Sequence, residues 1–334
     1  MVYSRTKVPV SDADLAAMVR RGFGAGTGVI ECAELTDGSY NAAYRVRLTD
    51  GTPLVLKVAP PPEFTLLTHE VDLMRTEVHF YERAAAAGVP VPRVAFADLS
   101  RETFDRDYVF LELLTTTDLY SSREHVSTVD MQPVRREIGA AVARLHTVTG
   151  QAYGYPLRES ATWQPTWRDA FFAMIDDILA DASRLHTELP EAPGAIATRL
   201  GRHADALDAV TRPALVHFDL WDGNVFIHPT PHGWRLTGLI DGERALYGDP
   251  WAEFVSLALF RDVSEVPELL EGYTSVTGEP AEITEEIRTR LALYTSYLYL
   301  LVVTEGPTRD YEPAHYEPVR RETLELLAVQ LAKL

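Results

Sequence analysis

The stretch His217-Phe218-Asp219-Leu220-Trp221-Asp222-Gly223-Asn224 constrains this chain more than any other, because it sets oxygen-bearing side chains at short fixed intervals between apolar runs. Leu215-Val216 before it reads as a short strand. Seventeen residues after Asn224, in the strand-like run Leu236 to Ile240, the pair Leu239-Ile240 leads into Asp241. Asp, Asn and Gly are common turn formers, so taken alone the stretch reads as a turn with a capping Asn224. Its meaning depends on what precedes it.

Upstream, Glu31 to Ala59 reads as strands: Tyr44, Val46 and Leu48 alternate with Arg45 and Arg47, Asp50-Gly51 supplies a turn, and Leu54 to Val58 forms an apolar strand. Lys57 interrupts that strand, and a buried lysine is costly unless it meets an opposite charge or a ligand. Apolar residues at three- and four-residue steps predict a helix over Thr68 to Ala87, stopped by Gly88, Pro90 and Pro92. Glu77 lies among Leu73, Met74, Phe80 and Tyr81 on the apolar stripe, and Glu70 lies seven residues earlier on the same stripe. Periodicity leaves open which of the two partners Lys57.

Two further strand-like runs fall between Val94 and Leu114, the stronger being Tyr108 to Leu114. Beyond them the patterns are helical at Val134 to His146, Trp167 to Leu185, Trp251 to Leu259 and Ile283 to Val303. Trp163, Trp167, Phe171 and Phe172 stand at helical spacing and read as core. The expected architecture is α+β and bilobal, with a β-rich lobe over residues 1–113 and a mainly helical lobe over 114–334. A single cysteine, Cys32, excludes an intrachain disulfide framework, and a net charge of −18 opposes non-specific nucleic-acid binding. No run of some twenty apolar residues predicts a membrane span, and a cytoplasmic protein is expected.

An Asp followed by hard oxygen donors is the set that phosphoryl transfer needs: one carboxylate beside an attacking hydroxyl, and ligands that hold Mg²⁺ on phosphate oxygens. The spacing H-x-D-x-x-x-x-N is that of the protein-kinase catalytic loop, here in kinase order after a lysine strand and a glutamate helix. The chain resembles the aminoglycoside phosphotransferase family, a kinase-like family that includes fructosamine and choline kinases. The resemblance runs from about Ala33 to the C-terminal helices. It rests on Gly38-Ser39-Tyr40-Asn41-Ala42-Ala43-Tyr44, Leu54-Val55-Leu56-Lys57, Gly88-Val89-Pro90-Val91-Pro92, Leu145-His146, the catalytic loop, and Leu239-Ile240-Asp241 with Gly248-Asp249-Pro250.

That resemblance implies a bilobal protein-kinase-like fold and a set of roles. Asp219 would orient or deprotonate the acceptor hydroxyl, Asn224 and Asp241 would bind Mg²⁺, and Lys57 held by Glu77 would contact the α- and β-phosphates of ATP. It selects Glu77 over Glu70 by its distance from Gly88. Ser39 and Asn41 would belong to the loop covering the nucleotide, and Glu112 to Leu114 would present backbone groups to adenine. His217 would be structural. Asp222, Glu243, Glu305 and Asp310 are the candidates for gripping a cationic acceptor.

Two departures stand out: Phe218 where the family commonly has glycine, and Gly38 as the sole glycine of the covering loop. The expected activity is ATP-dependent phosphorylation of a hydroxyl on an aminoglycoside or amino sugar. A ketosamine, other sugar, amino alcohol or nucleoside is the alternative acceptor. A non-catalytic nucleotide-binding regulator is the alternative of another class; a protein kinase is disfavoured because no Ala-Pro-Glu element follows Asp241.

Overall fold

A computed structural model describes residues 4–36, 38, 40–156 and 163–334. Ser39 lies outside the described residues. Helix α1 (Asp12–Phe23), which the sequence analysis did not identify, begins at Ser11, whose hydroxyl accepts from the Asp14 N–H at 3.1 Å. Asp12 and Asp14 stand at the positive end of its dipole. It covers one face of an antiparallel sheet made of β1 (Val29–Leu35), β2 (Ala42–Leu48), β3 (Pro53–Val58), β4 (Val94–Asp98) and β5 (Tyr108–Glu112), in the order β1-β2-β3-β5-β4.

Strand alternation decides where Lys57 goes. Leu54, Leu56 and Val58 of β3 join Tyr108 and Phe110 of β5 in packing against Leu15, Met18 and Val19 of α1. Val55, Val109 and Leu111 face the other way, against Met74 and Val78 of α2 (Leu73–Ala86). Lys57 shares the parity of Val55, so its stem is directed to the α2 side.

The helix expected over Thr68 to Ala87 is broken. Thr68–Glu70 forms a single 3₁₀ turn, and α2 starts only after Asp72, which has φ 60°. Asp is among the few residues that adopt this left-handed conformation readily, and Arg101 reaches its carboxylate at 3.2 Å. Glu70 folds back to accept from the Leu67 N–H at 2.8 Å, which removes it from the α2 stripe.

The remainder is mainly helical: α3 (Leu119–Ser122), α4 (Thr128–Leu145), α5 (Trp167–Arg184), α6 (Pro193–Gly201), α7 (Glu253–Leu257), α8 (Pro267–Thr277), α9 (Glu285–Arg309) and α10 (Pro313–Ala332). Short strands β6 (Thr117–Asp118), β7 (Ala214–Val216), β8 (Val225–Thr230), β9 (Gly233–Leu239) and β10 (Leu246–Gly248) lie among them. The helix expected over Trp251 to Leu259 is a 3₁₀ turn at Pro250–Ala252 followed by the short α7. Helix α9 continues six residues beyond its expected end at Val303, so that Glu305 lies within it. Trp167 and Phe171 are core, as expected, and Phe172 packs partly against it, whereas Trp163 lies outside α5 and is exposed.

Two close approaches set the helix packing. A Cβ on Gly139 of α4 would lie 2.0 Å from the Leu269 carbonyl, and one on Gly272 of α8 would lie 2.0 Å from that of Arg136. The two helices therefore touch backbone to backbone. Among the described residues, no helix is long and apolar enough to cross a membrane.

Candidate active site

The 217–224 segment links β7 to β8, and the β8–β9 hairpin returns the chain to its start. Val225 is paired with Leu239, and the Ile240 N–H donates to the Asn224 carbonyl at 3.0 Å. This hairpin explains the seventeen-residue interval: it places Asp241 beside Asn224. The Asn224 amide donates to the Asp219 carbonyl at 2.7 Å and lies 3.4 Å from its carboxylate, while its Oδ1 has no hydrogen bond among the described residues.

The loop backbone is held from behind by α7. Glu253, fully buried, accepts from the His217 N–H at 2.8 Å and from the Phe218 N–H at 3.1 Å; Ser256 accepts from the Leu220 N–H at 3.0 Å. Burial alone would raise the Glu253 carboxyl, yet its contacts with His146 and His217 hold it below its ordinary value. His217 receives the Asp219 N–H on Nδ1 at 3.2 Å and directs Nε2 at the Ile240 carbonyl, 2.8 Å away. That pattern is met by a neutral ring with the proton on Nε2, and burial lowers its pKa accordingly. His217 thus joins the loop to the segment before Asp241.

Phe218 stands at φ 63°, in the region that favours glycine, and is 1% exposed with its ring 5.7 Å from that of Tyr297. Asp241 is left-handed too, at φ 63°. Gly242 follows it because Phe80 of α2 packs there: a Cβ would lie 2.1 Å from the ring.

Lys57 joins the sheet to this loop. Its ammonium donates to Glu77 at 2.5 Å and also to Asp241. Tyr81, one turn after Glu77, donates to the Glu77 carboxylate at 2.9 Å and accepts from the Asp241 N–H at 3.0 Å. Burial alone would lower the Lys57 pKa, but Asp241 and Glu77 carry it well above its ordinary value, so the ammonium stays charged. Glu243 accepts from Asn41 at 2.7 Å, and burial pushes its carboxyl up to about 8. Among the described residues Lys57 is thus the one cation pairing directly with Glu77 and Asp241, while Glu243 adds a third acidic group. The spare Asn224 Oδ1 and the Asp241 carboxylate are hard oxygen donors, and a divalent cation such as Mg²⁺ fits this donor set.

Asp219, the proposed base, is pushed up to about 7 by burial, with Arg244 opposing the shift. Arg244 lies 3.9 Å from the Asp219 carboxylate and pairs with Glu305 of α9. Sequence reasoning missed Arg244, Glu253 and Ser256; only their proximity in sequence to Asp241 and Gly248-Asp249-Pro250 hinted at them.

The four acceptor candidates are dispersed. Asp222 is held by both terminal nitrogens of Arg135 at 2.6 and 2.7 Å; Glu243 is engaged with Asn41; Asp310 is exposed in the left-handed cap of α9; Glu305 alone sits close to Asp219, through Arg244. Glu112 ends β5 with its N–H donated to the Arg93 carbonyl at 2.9 Å. Leu114 lies against Gly238 of β9.

The sequence profile of the phosphotransferase enzyme family (APH) matches residues 31–294. No curated protein matches the sequence. The fold is similar to that of a protein from Thermobifida fusca described as a fructosamine-3-kinase. The two are 24% identical over 97% of this chain and 100% of that one, with a TM-score of 0.64. It is also similar to a thermostable mutant of aminoglycoside phosphotransferase APH(4)-Ia in complex with AMP-PNP and hygromycin B. Identity there is 17%, over 96% of this chain and 97% of that one, with a TM-score of 0.62. A third likeness is to APH(2")-IIa with streptomycin and ATP, at 16% identity, 98% of both chains and a TM-score of 0.62.

Proposed function

Because the chain belongs to the phosphotransferase enzyme family, we propose that it transfers the γ-phosphoryl group of ATP to a hydroxyl of a small molecule, with Mg²⁺. The carrying observation is the Lys57 ammonium shared between Glu77 and Asp241, with Asn224 and Asp219 immediately across the β8–β9 hairpin. In kinase chemistry the lysine–glutamate pair and the metal-binding Asp must be in place together, and here one ammonium links them.

Asp219 receives the acceptor hydroxyl and takes its proton as the phosphoryl group is transferred. Its raised pKa suits a group that must pass between carboxylate and acid near neutrality. Arg244 keeps that carboxylate from being driven wholly to its acid form. Asn224 and Asp241 would hold Mg²⁺, which when bound would neutralise phosphate charge. Lys57 contacts the α- and β-phosphates, and Asn41 fixes the loop after β1 over the nucleotide through Glu243. The nucleotide lies between the sheet and the helical part of the chain, with the segment from Glu112 to Leu114 along the adenine.

The acceptor belongs to the amino sugars, aminoglycosides or ketosamines. The proteins of similar fold support this range. The test is incubation with Mg²⁺ and ATP across those classes, with plain sugars, amino alcohols and nucleosides alongside, read by mass spectrometry. A phosphorylated product in one class supports the reading; none in any class, despite ATP binding, counts against it.

A further inference from the structure

The loop between β1 and β2 has one glycine, Gly38, where a phosphate-covering loop commonly has several. Its C-terminal end is anchored from three directions, all meeting at Tyr40. The Tyr40 hydroxyl donates to the Glu70 carbonyl at 3.1 Å, its carbonyl accepts from the Thr6 hydroxyl at 2.9 Å, and the Arg309 guanidinium lies 4.2 Å from the centre of its ring.

Arg309 is the last residue of α9 and is 2% exposed. One of its terminal nitrogens donates to the Glu70 carboxylate at 2.5 Å, whereas Nε and Nη1 are buried without a hydrogen-bond partner among the described residues. Its carbonyl accepts from the Arg5 N–H at 2.9 Å, so the N-terminal segment is tied to the same helix end. One turn back on α9, Glu305 pairs with Arg244, which faces Asp219. Tyr40, Arg309, Glu305, Arg244 and Asp219 therefore form a succession from the covering loop to the proposed base, with Arg309 and Glu305 one turn apart on α9.

We infer that Arg309 is a positioning residue for nucleotide binding: it holds the covering loop, through Tyr40, against the helix that also orients Arg244 beside Asp219. This rests on the nucleotide-binding reading above. Arg309 touches no reacting atom in this scheme; it acts by fixing where the Tyr40–Asn41 segment lies. A guanidinium is required because its flat face covers the Tyr40 ring while one edge engages Glu70, a geometry that an ammonium does not reproduce.

The test uses the full chain and Mg²⁺–AMP-PNP, so that no acceptor need be known. Dissociation constants are measured by calorimetry for the parent, Arg309→Lys, Tyr40→Leu and the double variant, with unfolding midpoints measured without nucleotide. Arg309→Lys keeps a cation for Glu70, which protects the fold. The expected result is binding weakened about tenfold (~1.4 kcal/mol) in each single variant, and no further weakening in the double. Folded single variants that bind as tightly as the parent would overturn the inference, as would fully additive losses, because Arg309 would then not act through Tyr40. A parent that binds no Mg²⁺–AMP-PNP would overturn the nucleotide reading and this inference with it.

Discussion

The Phe218 ring lies 5.7 Å from that of Tyr297, and this contact holds a bulky residue at φ 63° inside the 217–224 segment, in the region that favours glycine. Side chain and backbone conformation are opposed here. The left-handed region costs an L-residue about 1 kcal/mol or more, while burying Phe contributes more than that.

The opposition gives an ordering that can be measured. Phe218→Ala loses the ring and keeps the strain, and should cost about 3 kcal/mol. Phe218→Gly loses the ring and relieves the strain, so it should be more stable than the Ala variant by about 1 kcal/mol. Urea unfolding of the three proteins checks this; an Ala variant as stable as the Gly variant would mean that the conformation is not strained.

Glu253 serves the same loop from behind. A Gln there can accept with only one of its two terminal atoms, so either the His217 or the Phe218 N–H meets an NH₂ group, at a cost of about 2 kcal/mol. The effect depends on pH. The Glu253 carboxyl is held below its ordinary 4.5 in the folded chain, so its contribution is present above about pH 4.5 and is lost as pH falls through the lower folded value. Stability curves of the parent and Glu253→Gln should therefore converge in acid and separate near neutrality; parallel curves would contradict the assignment.

Removing Lys57 should act twice. Lys57→Met leaves the buried Glu77 without its cation, at about 3 kcal/mol, and removes the proposed phosphate contact. Burial already raises the Glu77 carboxyl, and losing Lys57 raises it further, so the added instability should be small near pH 5 and grow with rising pH. Weaker Mg²⁺–ATP binding in calorimetry should accompany it. Unchanged nucleotide affinity in a folded Lys57→Met protein would remove Lys57 from the site.

The parts of the site legible in sequence were those whose residue types are dictated by chemistry. Asp219, Asn224 and Asp241 announce themselves by spacing, and Lys57 by interrupting an apolar strand. Glu77 and Glu70 were equivalent by period alone. The structure separates them by a backbone break at Asp72, and whether an Asp will adopt a left-handed conformation depends on partners such as Arg101 that sequence does not reveal. Asp222 was a candidate for gripping the acceptor, yet Arg135, 87 residues away, occupies it. Arg244, Glu253 and Arg309 went unread for the same reason: each is defined by a pairing across the fold rather than by local pattern. Helix α1 carried a local signal, Ser11 followed by Asp14, Leu15, Met18 and Val19, that could have been found.

In the proposed reaction Asp219 serves the transfer step and not nucleotide binding. Comparing Asp219→Asn with the parent for Mg²⁺–ATP affinity and for turnover with a responding acceptor separates the two roles. Affinity should stay within about twofold of the parent while turnover falls by about 10² to 10⁴. Turnover close to that of the parent in Asp219→Asn would contradict that role.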